Sequence, residues 1–111
     1  MRRGDVVLVD FEPARPSEAN KIRPAIIITN DQANRYATNV MVVPLTSNVA
    51  TVYPFQLFLS ADETGLTKDS KAQVELMRSV SRSRLGKRVA SLPQTLQEAL
   101  DDRLKLHLDL A

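Results

Sequence analysis

Three polar residues, Arg23, Thr46 and Glu75, lie within or beside apolar runs and carry side chains that could do chemistry. An arginine guanidinium forms paired hydrogen bonds with phosphate oxygens and stays charged at neutral pH. A threonine hydroxyl can donate to an oxygen of the same phosphate, and a carboxylate can take up a proton. Polar residues at such positions are more often part of a solvated face, so the pattern alone leaves a structural role open for each.

Several other kinds of active site lack the residues that they need. The chain has no cysteine, one histidine and three glycines. The missing cysteines exclude thiolate catalysis, disulfides and cysteine-based metal sites. A single histidine excludes a two-histidine ribonuclease mechanism within one chain, and His107 lies on the predicted terminal helix, where we expect a structural or surface role. No metal-binding spacing, Walker loop or dinucleotide fingerprint occurs, so we expect neither a metal nor a cofactor.

The composition indicates one soluble domain spanning residues 1–111. Hydrophobic residues make up 43% of the chain and charged residues 25%, which is normal for a globular protein. The net charge of +2 is too small to indicate nucleic-acid binding by itself. No apolar run approaches the ~18 residues that span a bilayer. We therefore expect a cytoplasmic protein without a membrane partner.

Short apolar runs predict the strands that must position the three polar residues. We predict strands at residues 4–11, 22–29, 39–45, 53–60 and 72–81, and a short sixth strand at 87–90. A polar loop fills residues 12–21, and Asn30 should cap a helical turn that runs to Tyr36. In this scheme Arg23 opens the second strand, Thr46 closes the third, and Glu75 lies mid-strand in the fifth.

The last predicted element is an amphipathic helix. Ser91 and Gln94 have the spacing of a capping box. An apolar stripe follows at helical spacing: Leu96, Ala99, Leu100, Leu104 and Leu108. Strands this close in sequence are joined mostly by hairpins, so the sheet should be largely antiparallel. The predicted fold class is mainly β, a small curled barrel with a C-terminal helix.

Five segments, in their order and spacing, resemble the MazF/PemK (Kid) family of toxin endoribonucleases: RGDVVLVDF, SEANKIRPAIIITN, VVPLTS, YPFQLFLS and VELMRSVSRSRL. The resemblance covers about residues 2–90, and the terminal helix is in its expected place. It implies an SH3-like barrel, shared with the CcdB gyrase poison, that pairs as a homodimer.

The resemblance also implies an activity. Members of the family cut single-stranded mRNA at short sequences without a metal, by attack of the 2′-hydroxyl to give a 2′,3′-cyclic phosphate. An antitoxin with an acidic segment inhibits them. The catalytic pair of the family maps to Arg23 of the RP motif and Thr46 of the PxT motif, and a late acidic residue maps to Glu75, the candidate base. The RNA-binding positions implied are Ser17, Glu18, Lys21, Ser47, Gln73 and Arg78.

The sequence departs from the family pattern at two places. The first loop reads Pro16-Ser17-Glu18-Ala19-Asn20 where the family usually has Gly-Ser-Glu-Gln followed by glycine. The late strand carries Ser81 where an acidic residue is common. The first change could redirect the loop that frames the RNA, and the second removes position 81 as a functional carboxylate.

Two other functions stay open at this stage. A CcdB-like protein would bind gyrase and cleave nothing, and an SH3-like module would bind RNA without turnover. Such modules usually show clustered aromatic residues, whereas aromatic residues are 5% of this chain. Tyr53 and Phe58 are therefore expected in the core or in an interface, with stacking on unpaired bases as the alternative.

Overall fold

The computed structural model describes residues 1–11 and 22–110 of the chain. One antiparallel sheet of seven strands dominates it. The strands are β1 (Asp5–Asp10), β2 (Ile22–Ile27), β3 (Asn39–Thr46), β4 (Leu57–Leu59), β5 (Ser70–Ala72), β6 (Arg78–Ser81) and β7 (Leu85–Ser91). The helices are α1 (Asp31–Tyr36), α2 (Ala61–Thr64) and α3 (Gln94–Leu108). The predicted class, mainly β and antiparallel with a C-terminal helix, is confirmed.

Strand β3 is the centre of the sheet. The strand order is β4-β5-β3-β2-β1-β7, and β6 also pairs with β3. The two strands on the same side of β3 divide its length, because β6 pairs with residues 39–42 and β5 with residues 45–46. This division curls the sheet into an open barrel and leaves the far end of β3 beside the start of β2.

Alternating residues of the strands feed two separate apolar clusters. Val6 and Ile26 belong to one cluster, which α3 covers with Leu100 and Leu104. Their neighbours along the chain, such as Val7, belong to the other cluster on the opposite face. Because side chains alternate across a strand, a residue's place in the register decides which face it joins.

The predicted strand at 72–81 is broken into three pieces, so the placement of Glu75 mid-strand is wrong. Strand β5 ends at Ala72, a 3-10 turn covers Val74–Leu76, and β6 begins at Arg78. The break follows from the divided pairing of β3, since the chain must pass from one end of β3 to the other. The turn leaves Leu76 47% exposed, whereas a continuous strand would set it on the same face as the buried Val74 and Val80.

The predicted strand at 53–60 is shorter than expected. It is confined to β4, and residues 53–56 form a turn closed by a hydrogen bond from Gln56 N to Tyr53 O. The helix α2 was not predicted. Ser60 caps it by accepting from Glu63 N, and Gly65 ends it with a positive φ of 79°, a conformation that glycine adopts readily.

The two predicted helix caps have different outcomes. Asn30 caps α1 by accepting from Ala33 N, as expected. Ser91 instead ends β7, which is longer than the predicted sixth strand, and its hydroxyl donates to Asp5 Oδ1 at 2.6 Å. The cap position of α3 is Pro93, which has no side chain able to accept a hydrogen bond. None of the described helices is long and apolar enough to cross a membrane.

Candidate active site

The pairing of β2 with β3 brings Arg23 and Thr46 to one place. Ala25 pairs with Pro44, and continuing this register by two residues sets Arg23 opposite Thr46 within the same two strands. Opposed residues of antiparallel strands send their side chains to the same face, with Cβ atoms about 5 Å apart. Both side chains therefore lie on the face away from α3.

Arg23 and Thr46 line one open cleft of ≈ 340 Å³ at the ends of these strands. Ser47, one of the predicted RNA-binding residues, lines it too. Among the described residues, the wall consists of Ile22, Arg23, Pro24, Leu45, Thr46, Ser47, Leu66, Thr67, Lys68 and Ser70. This described part of the wall contains no carboxylate, and its charged groups are the two cations Arg23 and Lys68. The cleft is thus suited to an anion.

Within the described residues, both predicted phosphate contacts keep donor groups available for a ligand. Arg23 is half-buried and has no hydrogen-bond or ion-pair partner among residues 1–11 and 22–110. Thr46 Oγ1 accepts a hydrogen bond from Asn48 N at 3.2 Å. Because this bond uses a lone pair of the hydroxyl, the hydroxyl proton stays available for donation into the cleft.

Sequence reasoning missed one wall of the cleft, the segment that joins α2 to β5. Residues 66–70 resembled an ordinary polar turn. In the structure Asp69 Oδ1 accepts from Ala61 N at 2.8 Å, which folds the segment back onto the start of α2. Lys68 then lies exposed in the cleft. A lysine beside a capped turn is a weak signal, and only the fold brings it to Arg23.

Glu75 lies outside this cleft, in a junction centred on Gln56. Gln56 is 3% exposed; its Nε2 donates to Glu75 Oε2 at 2.7 Å and its Oε1 accepts from Tyr53 N at 3.0 Å. Its main-chain oxygen accepts from Arg103 Nε of α3. Glu75 Oε1 and Gln73 Oε1 are buried and have no hydrogen-bond partner within the described part of the chain.

Two of the other predicted RNA-binding residues, Gln73 and Arg78, are not among the described residues that line the cleft. Arg78 is exposed on β6, with its guanidinium carbon 5.3 Å from the centre of the Phe11 ring. Ser17, Glu18 and Lys21 lie outside the described residues.

Tyr53 and Phe58, expected in the core or in an interface, do not lie in the core of the single chain. Their exposed fractions are 52% and 44%. Tyr53 stacks on Phe55 with ring centres 5.7 Å apart and an interplanar angle of 5°. Phe55 in turn lies 5.8 Å from the ring of His107, which is exposed as predicted.

A second cleft, of ≈ 450 Å³, lies where the first residues meet α1. Met1, Arg2, Asp31, Asn34, Arg35 and Arg82 line it. Asp31 Oδ1 accepts from Arg3 N at 2.7 Å, and this hydrogen bond is the main reason that the pKa of Asp31 lies below its ordinary value of 3.8. The described residues contain no group of three or more side chains suited to hold a metal ion.

Comparison with known proteins gives a family match over nearly the whole chain. The model of the PemK-like, MazF-like toxins of type II toxin–antitoxin systems matches residues 2–108. An endoribonuclease of Mycobacterium tuberculosis, MazF9, is 50% identical over 115 residues, which cover 99% of this chain and 98% of that protein. The endoribonuclease MazF of Staphylococcus saprophyticus is 32% identical, over 99% of this chain and 92% of that protein.

A solved structure supports the fold independently. A mycobacterial endoribonuclease in complex with its cognate antitoxin superposes with a TM-score of 0.82, over 100% of this chain and 97% of that chain. The two sequences are 19% identical. At this identity the likeness concerns the fold alone.

Proposed function

This chain belongs to the PemK-like, MazF-like toxins of type II toxin–antitoxin systems, and we propose that it is a sequence-specific endoribonuclease of single-stranded mRNA. The observation that supports this proposal is the cleft in which Arg23 and Thr46 lie on one face of neighbouring strands. These two donors suit an anionic ligand. The names of the two relatives, each an endoribonuclease, support the same reaction class.

In the proposed reaction RNA supplies its own nucleophile. A base removes the proton of the 2′-hydroxyl, and that oxygen attacks the adjacent phosphorus. The bond from phosphorus to the 5′-oxygen breaks, the 5′-oxygen takes up a proton, and the products carry a 2′,3′-cyclic phosphate and a 5′-hydroxyl. The attacking oxygen comes from the RNA itself, so the reaction needs no metal in principle, and the protein must supply a base, a proton for the leaving oxygen and donors to the phosphorane.

Arg23 is the proposed charge stabiliser, because its planar donors match two phosphate oxygens. Thr46 is proposed to donate its free hydroxyl proton to a non-bridging oxygen of the same phosphate. Lys68, as the second cation of the cleft, adds positive charge where the phosphorane forms. A fixed charged donor such as Arg23 is worth about 3–4 kcal/mol.

Glu75 is the proposed general base. One of its carboxylate oxygens is held by Gln56 and the other is buried without a partner within the described residues, so the second oxygen keeps its capacity to accept a proton. Because Glu75 does not line the cleft, this role requires that its carboxylate reach the 2′-hydroxyl of the nucleotide whose phosphate Arg23 and Thr46 bind. Ser47 in the cleft wall and Gln73, two residues before Glu75, are proposed RNA contacts.

The proposed partners follow from charge. Residues 78–88 carry five cations and no carboxylate: Arg78, Arg82, Arg84, Lys87 and Arg88. A stretch of one sign attracts RNA phosphates and, equally, an acidic antitoxin segment that competes with RNA. We propose Ser17, Glu18 and Lys21 as further RNA contacts. The proposal also includes a homodimer and a cytoplasmic location, where mRNA is available.

The deciding experiment incubates the purified protein with a long single-stranded RNA in EDTA and maps the product ends. Discrete cuts that end in a cyclic phosphate are expected, and an Arg23→Ala variant should leave the RNA intact. Uncut RNA with the wild-type protein, in EDTA and in added Mg²⁺, would refute the ribonuclease. Gyrase binding would then be measured, because a CcdB-like poison uses the same fold without cleavage.

A further inference from the structure

Lys71 is a buried cation without a carboxylate partner in the described residues. It is 8% exposed, whereas lysine is almost never buried unless it is paired. Its Nζ donates to the main-chain oxygen of Thr51 and lies 5.8 Å from the centre of the Tyr53 ring. Both contacts belong to the 47–56 loop, the segment that joins β3 to β4.

The sheet register places Lys71 beside the proposed active site. Lys71 pairs with Thr46 of β3 on one side and with Phe58 of β4 on the other. All three side chains therefore share the face opposite the core covered by α3, and Arg23 continues the row on β2. With strands about 4.8 Å apart, the row from Arg23 to Phe58 spans ~14 Å.

Lys71 fixes the middle of the 47–56 loop, and Gln56 fixes its C-terminal end. The loop begins at Ser47 in the cleft wall, is held at Thr51 and Tyr53 by Lys71, and ends at the buried Gln56. These anchors hold the exposed ring of Tyr53 next to the row that contains Thr46, and the exposed ring of Phe58 belongs to that row. An unpaired base of any identity can stack on such a ring.

We propose that Lys71 is a positioning residue that fixes the 47–56 loop so that Tyr53 and Phe58 receive the unpaired RNA base next to the scissile phosphate. The inference rests on the proposed ribonuclease activity and deepens it, because it names how this chain holds the nucleotide beside the cut. A purely structural lysine is disfavoured, since an apolar side chain would fill the same space without burying a charge.

The test uses Lys71→Met, which keeps the length of the side chain and removes the charge. KM for a short RNA carrying the mapped cleavage site should rise by about tenfold, with kcat changed by less than about threefold, because substrate placement and not chemistry is lost. Lys71→Arg should recover most of the affinity, since a guanidinium can donate to Thr51 O and lie against Tyr53. Tyr53→Ala should also raise KM. The double variant with Lys71→Met should have a KM only slightly above that of either single variant, because both substitutions remove the same interaction.

Two controls separate positioning from other effects. Lys105→Met removes the same charge from the exposed face of α3 and should leave KM unchanged. Hydrogen exchange of the amides at residues 48–53 should become faster in Lys71→Met while exchange in β3 stays slow.

The proposal is overturned if Lys71→Met cleaves with wild-type KM, if Lys105→Met raises KM equally, or if exchange accelerates throughout the sheet. The wild-type protein in the same assay keeps the two hypotheses apart. Its failure to cut RNA would refute the ribonuclease, whereas equal cleavage by wild type and Lys71→Met would refute the positioning role alone.

Discussion

The Arg23–Thr46 cleft and the Gln56–Glu75 junction contain similar polar groups in opposite states. In the cleft, the Arg23 guanidinium has no partner among the described residues and Thr46 keeps its hydroxyl proton free. In the junction, both side-chain groups of Gln56 are bound, and one oxygen of Glu75 is bound as well. The cleft therefore contains donors that are available to a ligand, whereas the junction contains groups whose hydrogen bonds stabilise the fold.

A buried polar group with every bond made contributes rigidity, while a preorganised donor with no partner is available to a transition state. Glu75 belongs partly to each class, since one of its oxygens is bound and the other is buried without a partner in the described residues. Substitutions in the cleft should therefore change activity alone. Substitutions in the junction can change both activity and the stability of the fold.

The largest effect is expected for Arg23→Ala. Removing the main donor to the phosphorane should lower kcat by about 10²–10³-fold and leave the melting temperature close to wild type, because Arg23 holds no other described residue in place. Arg35→Ala, an exposed arginine in the wall of the second cleft, is the matched control. The rate of cleavage is measured under single-turnover conditions. An equal loss of rate in both variants would show that the Arg23 cleft has no special role in the reaction.

Glu75→Gln should have the next largest effect. The amide oxygen can still accept from Gln56, so the junction should stay folded, but the amide cannot act as a base. A loss of about 10²-fold in kcat and of the acid limb of the pH–rate profile is expected. Wild-type rates with an unchanged profile would assign Glu75 to the structural class alone.

Thr46→Val should cost less, about tenfold in kcat/KM, the value of one hydrogen bond to a charged phosphate. Thr46→Ser keeps the hydroxyl and should retain most of the activity. If Thr46→Val keeps wild-type activity while Thr46→Ser loses it, the methyl group rather than the hydroxyl matters, and the proposed donation to phosphate is wrong.

Asp31→Ala should have the smallest effect on activity, within about twofold, because it lies outside both regions. Its pKa is lowered in the folded state by the bond from Arg3 N. The ionised carboxylate therefore stabilises the fold above pH 3.8, and this contribution is lost as the pH falls through the lowered pKa. Thermal melts of wild type and variant should differ at pH 7 and converge well below pH 3.8; a constant gap would contradict the linkage.

The sequence predicted the parts of the fold that local periodicity encodes. Short apolar runs predicted the strands that carry Arg23 and Thr46, and the Asn30 cap was predicted from its residue type. The broken strand around Glu75 could not be predicted, because the break arises from β5 and β6 sharing one side of β3, a non-local constraint. Ser91 has the spacing of a cap but is claimed by Asp5, which lies far away in sequence.

The positions of the site residues were predicted only in part. Arg23, Thr46 and Ser47 lie in one cleft, as the family resemblance implied, whereas Lys68 entered only through the fold of residues 66–70. The buried state of Lys71 had no local signal, because its neighbours on β3 and β4 are 25 and 13 residues away in the chain (71 − 46 and 71 − 58).

The order in which the chain supplies the cleft has a consequence for synthesis. The walls come from residues 22–24, 45–47 and 66–70, but the cluster beneath β3 closes only with Leu100 and Leu104 of α3. Domains fold as units during translation. A nascent chain that ends before α3 should therefore lack a stable sheet, and the proposed ribonuclease activity should appear only after the helix has been made.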